Sequence, residues 1–191
     1  MQQHNLSTKE LQRKKGIAAR KGITKEEAKL LSRKICDRLT GNLAYKKART
    51  VLSYIPFGAE VDVSFINDHV KQEGKVLALP ICHDEGRMVA AVPKSSDAWE
   101  IGKHGILAPI EEKSLILHPS ELDFVIVPCT AFEGSSRKRM GMGAGYYDRY
   151  LPQCINAVCI AVAFESQHIR DLCVEPWDFP LNAIVTEANW Y

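Results

Sequence analysis

Two adjoining features constrain this chain of 191 residues more than any others: the run Phe124-Val-Ile-Val-Pro128 and the glycine-rich stretch Arg137 to Leu151 behind it. The first is the most apolar run in the chain and reads as a central strand. In the second, Gly141, Gly143 and Gly145 stand at alternate positions, leaving a backbone free of Cβ atoms that can pass close to a ligand and aim N–H groups at it. Arg137, Lys138 and Arg139 precede the glycines, and a helix-like pattern resumes from Tyr146 to Leu151. A strand, a glycine loop and a helix in that order, with guanidinium groups alongside, suit phosphate capture. Asp148 follows within one turn, where a carboxylate beside bound phosphate would hold Mg²⁺. The spacing is not that of a P-loop, which ends Gly-Lys-Ser/Thr, nor of Gly-x-Gly-x-x-Gly, because the third glycine comes one residue early. Glycine spacing alone fits a basic surface loop equally well; the two tyrosines and the aspartate directly after it favour a site.

Taken in order, Ser7-Thr-Lys-Glu10 and Thr24-Lys-Glu-Glu27 have capping-box spacing, so two helices are expected with a break near Gly22. Ala28, Leu31, Ile35 and Leu39 give the second an apolar face, and Gly41 stops it. Lys9 and Arg13 lie one turn apart on the first, placed to reach a single phosphate group. Thr50 to Ile55 is the first expected strand, Val63 to Glu73 a helix and Lys75 to Pro80 a second strand, which makes a β-α-β unit with a parallel pair. Ligands in such folds lie beyond the C-terminal ends of the strands, and Pro56 to Asp62, with Glu60, occupies that place. Arg87 to Val92 reads as a strand, Pro93 to Leu122 as loops with a short helix, Asn156 to Ala163 as a strand, Ser166 to Leu172 as a short helix and Ala183 to Thr186 as a last strand. Trp99, inside the long irregular stretch, is either a platform for a flat heterocycle or an ordinary packed indole.

A hydrophobic content of 46% beside 25% charged residues is that of a globular α/β protein, expected as one domain over residues 1–191 with residues 1–48 packed on it as a helical segment. No run of 18 apolar residues and no apolar leader core is present, so the expectation is the cytoplasm, away from membranes; a monomer is also expected, though nothing in the sequence sets the oligomeric state. Cys36, Cys82, Cys129 and Cys159 sit in apolar runs without a Cys-x-x-Cys pair, as reduced core residues would. Residues 1–50 hold 14 of the 25 Lys/Arg and 4 of the 23 Asp/Glu, a net +10 against −8 for the rest. That segment could face nucleic acid or a polyanionic small molecule, and few aromatics interleave with it to stack on bases. The six histidines, His4, His69, His83, His104, His118 and His168, show no metal-ligand spacing, and no Gly-x-Ser-x-Gly elbow exists.

The stretch Arg139-Met140-Gly141-Met142-Gly143-Ala144-Gly145-Tyr146-Tyr147-Asp148-Arg149-Tyr150-Leu151, preceded by Val127-Pro-Cys-Thr-Ala-Phe132, resembles the signature of the 5-formyltetrahydrofolate cyclo-ligase family, also called methenyltetrahydrofolate synthetases. The likeness covers most of the chain, through the basic first helix, Glu60 and a tail with Ala163-Phe-Glu-Ser-Gln167 and Asp178. It implies a three-layer α/β fold with a largely parallel sheet, related to the sugar-phosphate isomerase and CoA-transferase group. It also implies ATP-dependent closure of 5-formyltetrahydrofolate to 5,10-methenyltetrahydrofolate, with magnesium.

By the same resemblance Lys9 and Arg13 would hold ATP phosphates, and the run from Arg139 to Tyr147 would wrap the nucleotide, with Arg139 and Tyr147 as catalytic residues. Ile55 and Glu60 would bind the folate, Met142 to Tyr146 would lie along it, and Asp148 and Asp178 would hold Mg²⁺. The sequence departs from the family pattern at two places: a longer loop with Glu133 where aspartate is common and Ser136-Arg137 where glycine is, and Ala108-Pro109 in place of Glu-Pro. Two alternatives stay open: a drifted relative binding ATP and another folate or heterocycle, and a basic nucleic-acid-binding module.

Overall fold

The computed structural model describes residues 7–102 and 105–191; His4 and His104 lie outside them. Helix α1 (Thr8–Lys21) opens with the expected capping box, Ser7 and Glu10 satisfying each other's backbone donors. Helix α2 (Lys25–Gly41) starts at Thr24, whose hydroxyl accepts from the Glu27 amide, and buries Ile35, Cys36 and Leu39. A short α3 (Leu43–Lys47), started by Asn42, leads to β1 (Thr50–Leu52). Helix α4 (Ser64–Gln72) joins β1 to β2 (Val76–Cys82), the expected β-α-β unit.

Beyond β2 the chain turns back into β3 (Met88–Pro93), then β4 (Trp99–Ile101), β5 (Leu107–Pro109) and β6 (Ser114–Leu117). The stretch expected as loops with a short helix therefore also carries three short strands, among loops and the 3₁₀ turns Glu111–Lys113 and Pro119–Glu121. Its strands are short and half-exposed, β4 and β5 pairing only with each other and β6 as an outer strand, so neither carries the apolar run of a central strand. Strand β7 (Phe124–Pro128) follows, then β8 (Ala131–Glu133), β9 (Lys138–Met140), α5 (Tyr146–Tyr150), β10 (Val158–Val162) and β11 (Ala183–Val185). Ser166 to Leu172 forms no α-helix: only a single 3₁₀ turn, Glu165–Gln167, is present.

Seven strands form one sheet in the order β11-β10-β7-β1-β2-β3-β6. The five from β11 to β2 are parallel; β3 and β6 add an antiparallel edge. Each central strand is buried on both faces, which is why its sequence reads as unbroken apolar residues. In β7, Phe124 and Ile126 join Ile35, Leu39 and Val70 beneath α2 and α4, while Val125 and Val127 point into the opposite core with Leu52, Phe132 and Leu151. The architecture is thus a largely parallel sheet with a packed core on either side, as expected.

Strands β1 and β7 are adjacent, yet the chain leaves β1 towards β2 and leaves β7 towards β10. This reversal puts the segments after β1 and after β7 side by side at the C-terminal ends of the strands, the place where open α/β sheets bind ligands. The chain end returns to the sheet: Tyr191 exchanges both backbone bonds with Ile184, and its ring lies 5.3 Å from Phe132 and 5.2 Å from His168.

Candidate active site

A cavity of about 480 Å³ opens at this reversal, lined by Glu60 after β1, by Pro128 to Thr130 after β7, and by the glycine stretch. Between β7 and that stretch the structure inserts a hairpin, β8 with β9, rather than leading straight into the glycines as the sequence reading expected. The hairpin turn explains the departure at Ser136-Arg137. Arg137 takes a left-handed conformation, φ 54°, where a glycine would be at ease, and Glu133 accepts from the amides of Ser135 and Ser136 to hold the turn. The hairpin delivers Met140 back to Thr130, whose hydroxyl and amide both donate to the Met140 carbonyl, so the glycines start beside the end of β7.

Gly143 and Gly145 have φ of 112° and 69°, conformations that L side chains rarely adopt. At Gly143 a Cβ would find room, its nearest neighbour being Arg13 Cζ at 3.6 Å, so the constraint there is the backbone angle rather than crowding. Gly145 offers no capping side chain, and the first-turn amides of α5 remain uncapped.

Helix α1 supplies the cations. Lys9, Arg13, Gly16 and Arg20 lie along one stripe, and Gly16 is pressed against Thr130. Lys9 Nζ pairs with Asp178 at 3.1 Å, and Arg13 Nε donates to the Gly141 carbonyl at 3.0 Å; both residues line the cavity. Arg139, on β9, is buried beneath the glycines, with its guanidinium 3.0 Å from Asp148 and 5.6 Å from the Tyr147 ring centre. The hydroxyl of Tyr147 and Nε of Arg139 are buried without hydrogen-bond partners among the described residues. Burial pushes the Tyr147 hydroxyl far up from its ordinary range, so it stays protonated and can only donate or accept a hydrogen bond. Glu60 is pushed above its ordinary value by burial, against the pull of the Phe57 amide and Arg20.

Of the residues that the resemblance assigns to the site, all but Ile55 line this cavity; Ile55 is half-buried and outside it. Trp99 borders a separate shallow cleft with Lys71, Lys75 and Lys94, and Ala108 pairs with Glu100 between β4 and β5, so neither belongs to the cavity. Sequence reasoning passed over Cys129, Thr130, Arg149 and Trp177, which do line it. Trp177 is 70% exposed beside Asp178, an unusual place for an indole. Arg149 latches the far rim, Nε donating to the Gly86 carbonyl at 3.1 Å, while Tyr146 donates to the His83 carbonyl at 2.8 Å.

Nothing in the cavity is built for covalent catalysis. Cys129 is 5% exposed and burial pushes its thiol up to about 12, which leaves no thiolate at neutral pH. Asp148 and Asp178 are each already paired with a cation, and no cluster of three or more metal-ligating side chains stands among the described residues. Magnesium carried with a polyphosphate needs only one or two protein carboxylates, so this donor pair fits that ion and no self-sufficient metal cage. The arrangement suits binding and neutralising a polyphosphate next to a second ligand at Glu60.

Comparison with known proteins agrees with this geometry. The family model described as the 5-formyltetrahydrofolate cyclo-ligase family matches residues 5–187. A 5-formyltetrahydrofolate cyclo-ligase of Escherichia coli K12 is 28% identical over 174 residues, covering 89% of this chain and 95% of its own. One from Mycoplasma pneumoniae is 27% identical over 180 residues, with 92% and 96% covered. The NMR structure of the Aquifex aeolicus 5,10-methenyltetrahydrofolate synthetase superposes with a TM-score of 0.83 at 32% identity, over 96% of this chain and 92% of that one.

Proposed function

Because the chain belongs to the 5-formyltetrahydrofolate cyclo-ligase family, we propose that it closes 5-formyltetrahydrofolate to 5,10-methenyltetrahydrofolate with conversion of ATP to ADP and phosphate. One observation carries the reading: a single cavity gathers the glycine stretch, Lys9, Arg13 and Arg139 with Glu60, and offers no competent nucleophile. The formyl oxygen is a poor leaving group. Transfer of the γ-phosphate to it turns it into one, with ADP leaving; the 10-nitrogen then attacks the formyl carbon, and phosphate departs with that oxygen and takes up the proton lost from the 10-nitrogen.

Phosphoryl transfer of this kind asks for positioning and charge neutralisation. Lys9 and Arg13 would hold the phosphates from α1, with backbone amides of Gly141 to Gly145 beneath. Arg139 and Tyr147 would donate to oxygens that gain charge in the transfer. Glu60 would take N–H donors of the pterin ring, with Met142 to Tyr146 along the substrate. Asp148 and Asp178 would hold Mg²⁺, which neutralises phosphate charge when bound. Ile55, outside the cavity, would act only by supporting the segment that carries Glu60. The cytoplasm is the proposed compartment.

The test is absorbance of the methenyl product from purified protein with 5-formyltetrahydrofolate, ATP and Mg²⁺; no product at saturating substrates rejects the proposal. Calorimetry that finds ATP binding without 5-formyl folate binding would identify a drifted relative. Against a nucleic-acid module, Lys9, Arg13 and Arg20 are turned into the fold, and the exposed Lys/Arg of residues 1–50 have few aromatics among them to stack on bases.

A further inference from the structure

We propose that Arg20 is a positioning residue for the folate, acting through Glu60; the inference rests on the cyclo-ligase reading and deepens it. Arg20 continues the stripe of Lys9, Arg13 and Gly16 by one more turn of α1, but unlike Lys9 and Arg13 it does not line the cavity. It is 6% exposed, its NH1 group lying 3.3 Å from the Cys129 carbonyl oxygen and 3.6 Å from Glu60 Oε1. Its Nε is buried without a hydrogen-bond partner among the described residues. The other carboxylate oxygen of Glu60 accepts from the Phe57 amide at 3.1 Å. The carboxylate is thus held on both oxygens from behind, while Glu60 still borders the cavity.

A charge is buried at a cost unless it is paired. A guanidinium that served only to tie α1 to the Cys129 carbonyl would gain little from being charged, since a neutral amide makes that bond. Its charge is of use to Glu60, which burial would otherwise drive towards the protonated acid. An ionised carboxylate in a fixed plane accepts two parallel N–H bonds, and the edge of a 2-amino-4-oxopteridine presents two such donors side by side. With the Phe57 amide, Arg20 therefore opposes the protonation that burial favours and fixes the orientation with which Glu60 meets the pterin, without touching it.

The experiment measures initial rates of methenyl formation with each substrate varied in turn, for wild type, Arg20→Met, Arg20→Gln, Arg20→Lys, Glu60→Gln and the double variant Arg20→Met with Glu60→Gln. Arg20→Met is expected to raise KM for 5-formyltetrahydrofolate roughly 10- to 100-fold, the scale on which misplacing a binding group tells. KM for ATP should stay within about twofold, and the double variant should be no worse than Glu60→Gln alone, because the two residues act as one unit. Arg20→Lys should recover part of the loss. Arg20→Gln keeps a donor for Cys129 and removes only the charge, so it carries the same test if the Met variant does not fold. A parallel rise in both KM values would mean that Arg20 merely seats α1, and additive effects in the double variant would separate it from Glu60; either overturns the proposal. An inactive wild type would instead reject the enzyme reading beneath it.

Discussion

Replacing Gly16 by alanine is expected to leave a folded protein that has nearly lost its use of ATP. A Cβ at Gly16 would stand 2.1 Å from the Thr130 carbonyl oxygen, 2.9 Å from its carbon and 3.0 Å from Ala131 Cβ. An ordinary carbon–oxygen contact needs about 3.3 Å, so the two segments must part by roughly 1.2 Å. The Thr130 side is pinned: its amide donates to Met140 at 2.7 Å, and its carbonyl accepts from Gln167 Nε2 at 2.9 Å. The helix is what moves, and Lys9 and Arg13 move with it. Overpacking costs about 1–3 kcal/mol, and the better helix propensity of alanine returns about 1 kcal/mol, which leaves a net loss of about 0–2 kcal/mol. For a chain of this size that lowers Tm by about 2–4 °C per kcal/mol. A displacement of about 1 Å in binding groups costs about 100-fold in rate. The expected result is therefore a kcat/KM for ATP about two orders of magnitude down with a Tm within several degrees of wild type. Gly41→Ala, at the end of α2 with nothing within 4 Å of the added carbon, serves as the control and should gain about 0.4–1 kcal/mol with unchanged kinetics. Gly16→Ala retaining kcat/KM for ATP within about twofold of wild type would refute the reasoning.

Three further outcomes follow from the same geometry. Asp148→Ala should abolish magnesium-dependent turnover and also destabilise the fold by about 3 kcal/mol, because it strips the counter-charge from the buried Arg139; urea unfolding measures this, and an unchanged midpoint would show that the pair holds nothing. Tyr147→Phe removes a buried hydroxyl that bonds to nothing among the described residues, so stability should rise by about 1 kcal/mol while turnover falls roughly tenfold or more; a loss in both would mean that the hydroxyl has a structural partner. Asp97 is held down to about 2 by its hydrogen bonds from Lys113 and Ser95. A carboxyl depressed on folding contributes stability present above its unfolded value and lost as pH falls through the folded one, so Asp97→Asn should flatten the stability profile between about pH 4 and 2. A profile parallel to wild type would remove Asp97 from the account.

The parts of the fold legible in the sequence are those where burial is two-sided or a cap is chemical. Phe124 to Pro128 reads as a strand because both of its faces meet a core, and Ser7 and Thr24 mark helix starts because their hydroxyls bond amides three residues on. The strands between Pro93 and Leu122 escaped because outer, half-exposed strands carry no such run. The site was legible at Arg139 to Asp148, where glycines, tyrosines and an acid are adjacent in sequence. Gly16 and Arg20 were not, since their value comes from Thr130 and Glu60, partners that only tertiary packing brings near. Trp99 drew attention as an aromatic in an irregular stretch, and it lies at another cleft; Trp177 drew none, and it lines the cavity.

The reach of α1 has a consequence for how the enzyme comes into being. Its Lys9 meets Asp178, 169 positions downstream, and its Arg13 meets Gly141, 128 downstream. Synthesis therefore presents that helix well before the segments it docks against. On the proposed assignment, Lys9 and Arg13 reach their places at the cavity only once the segments carrying Gly141 and Asp178 have packed against α1.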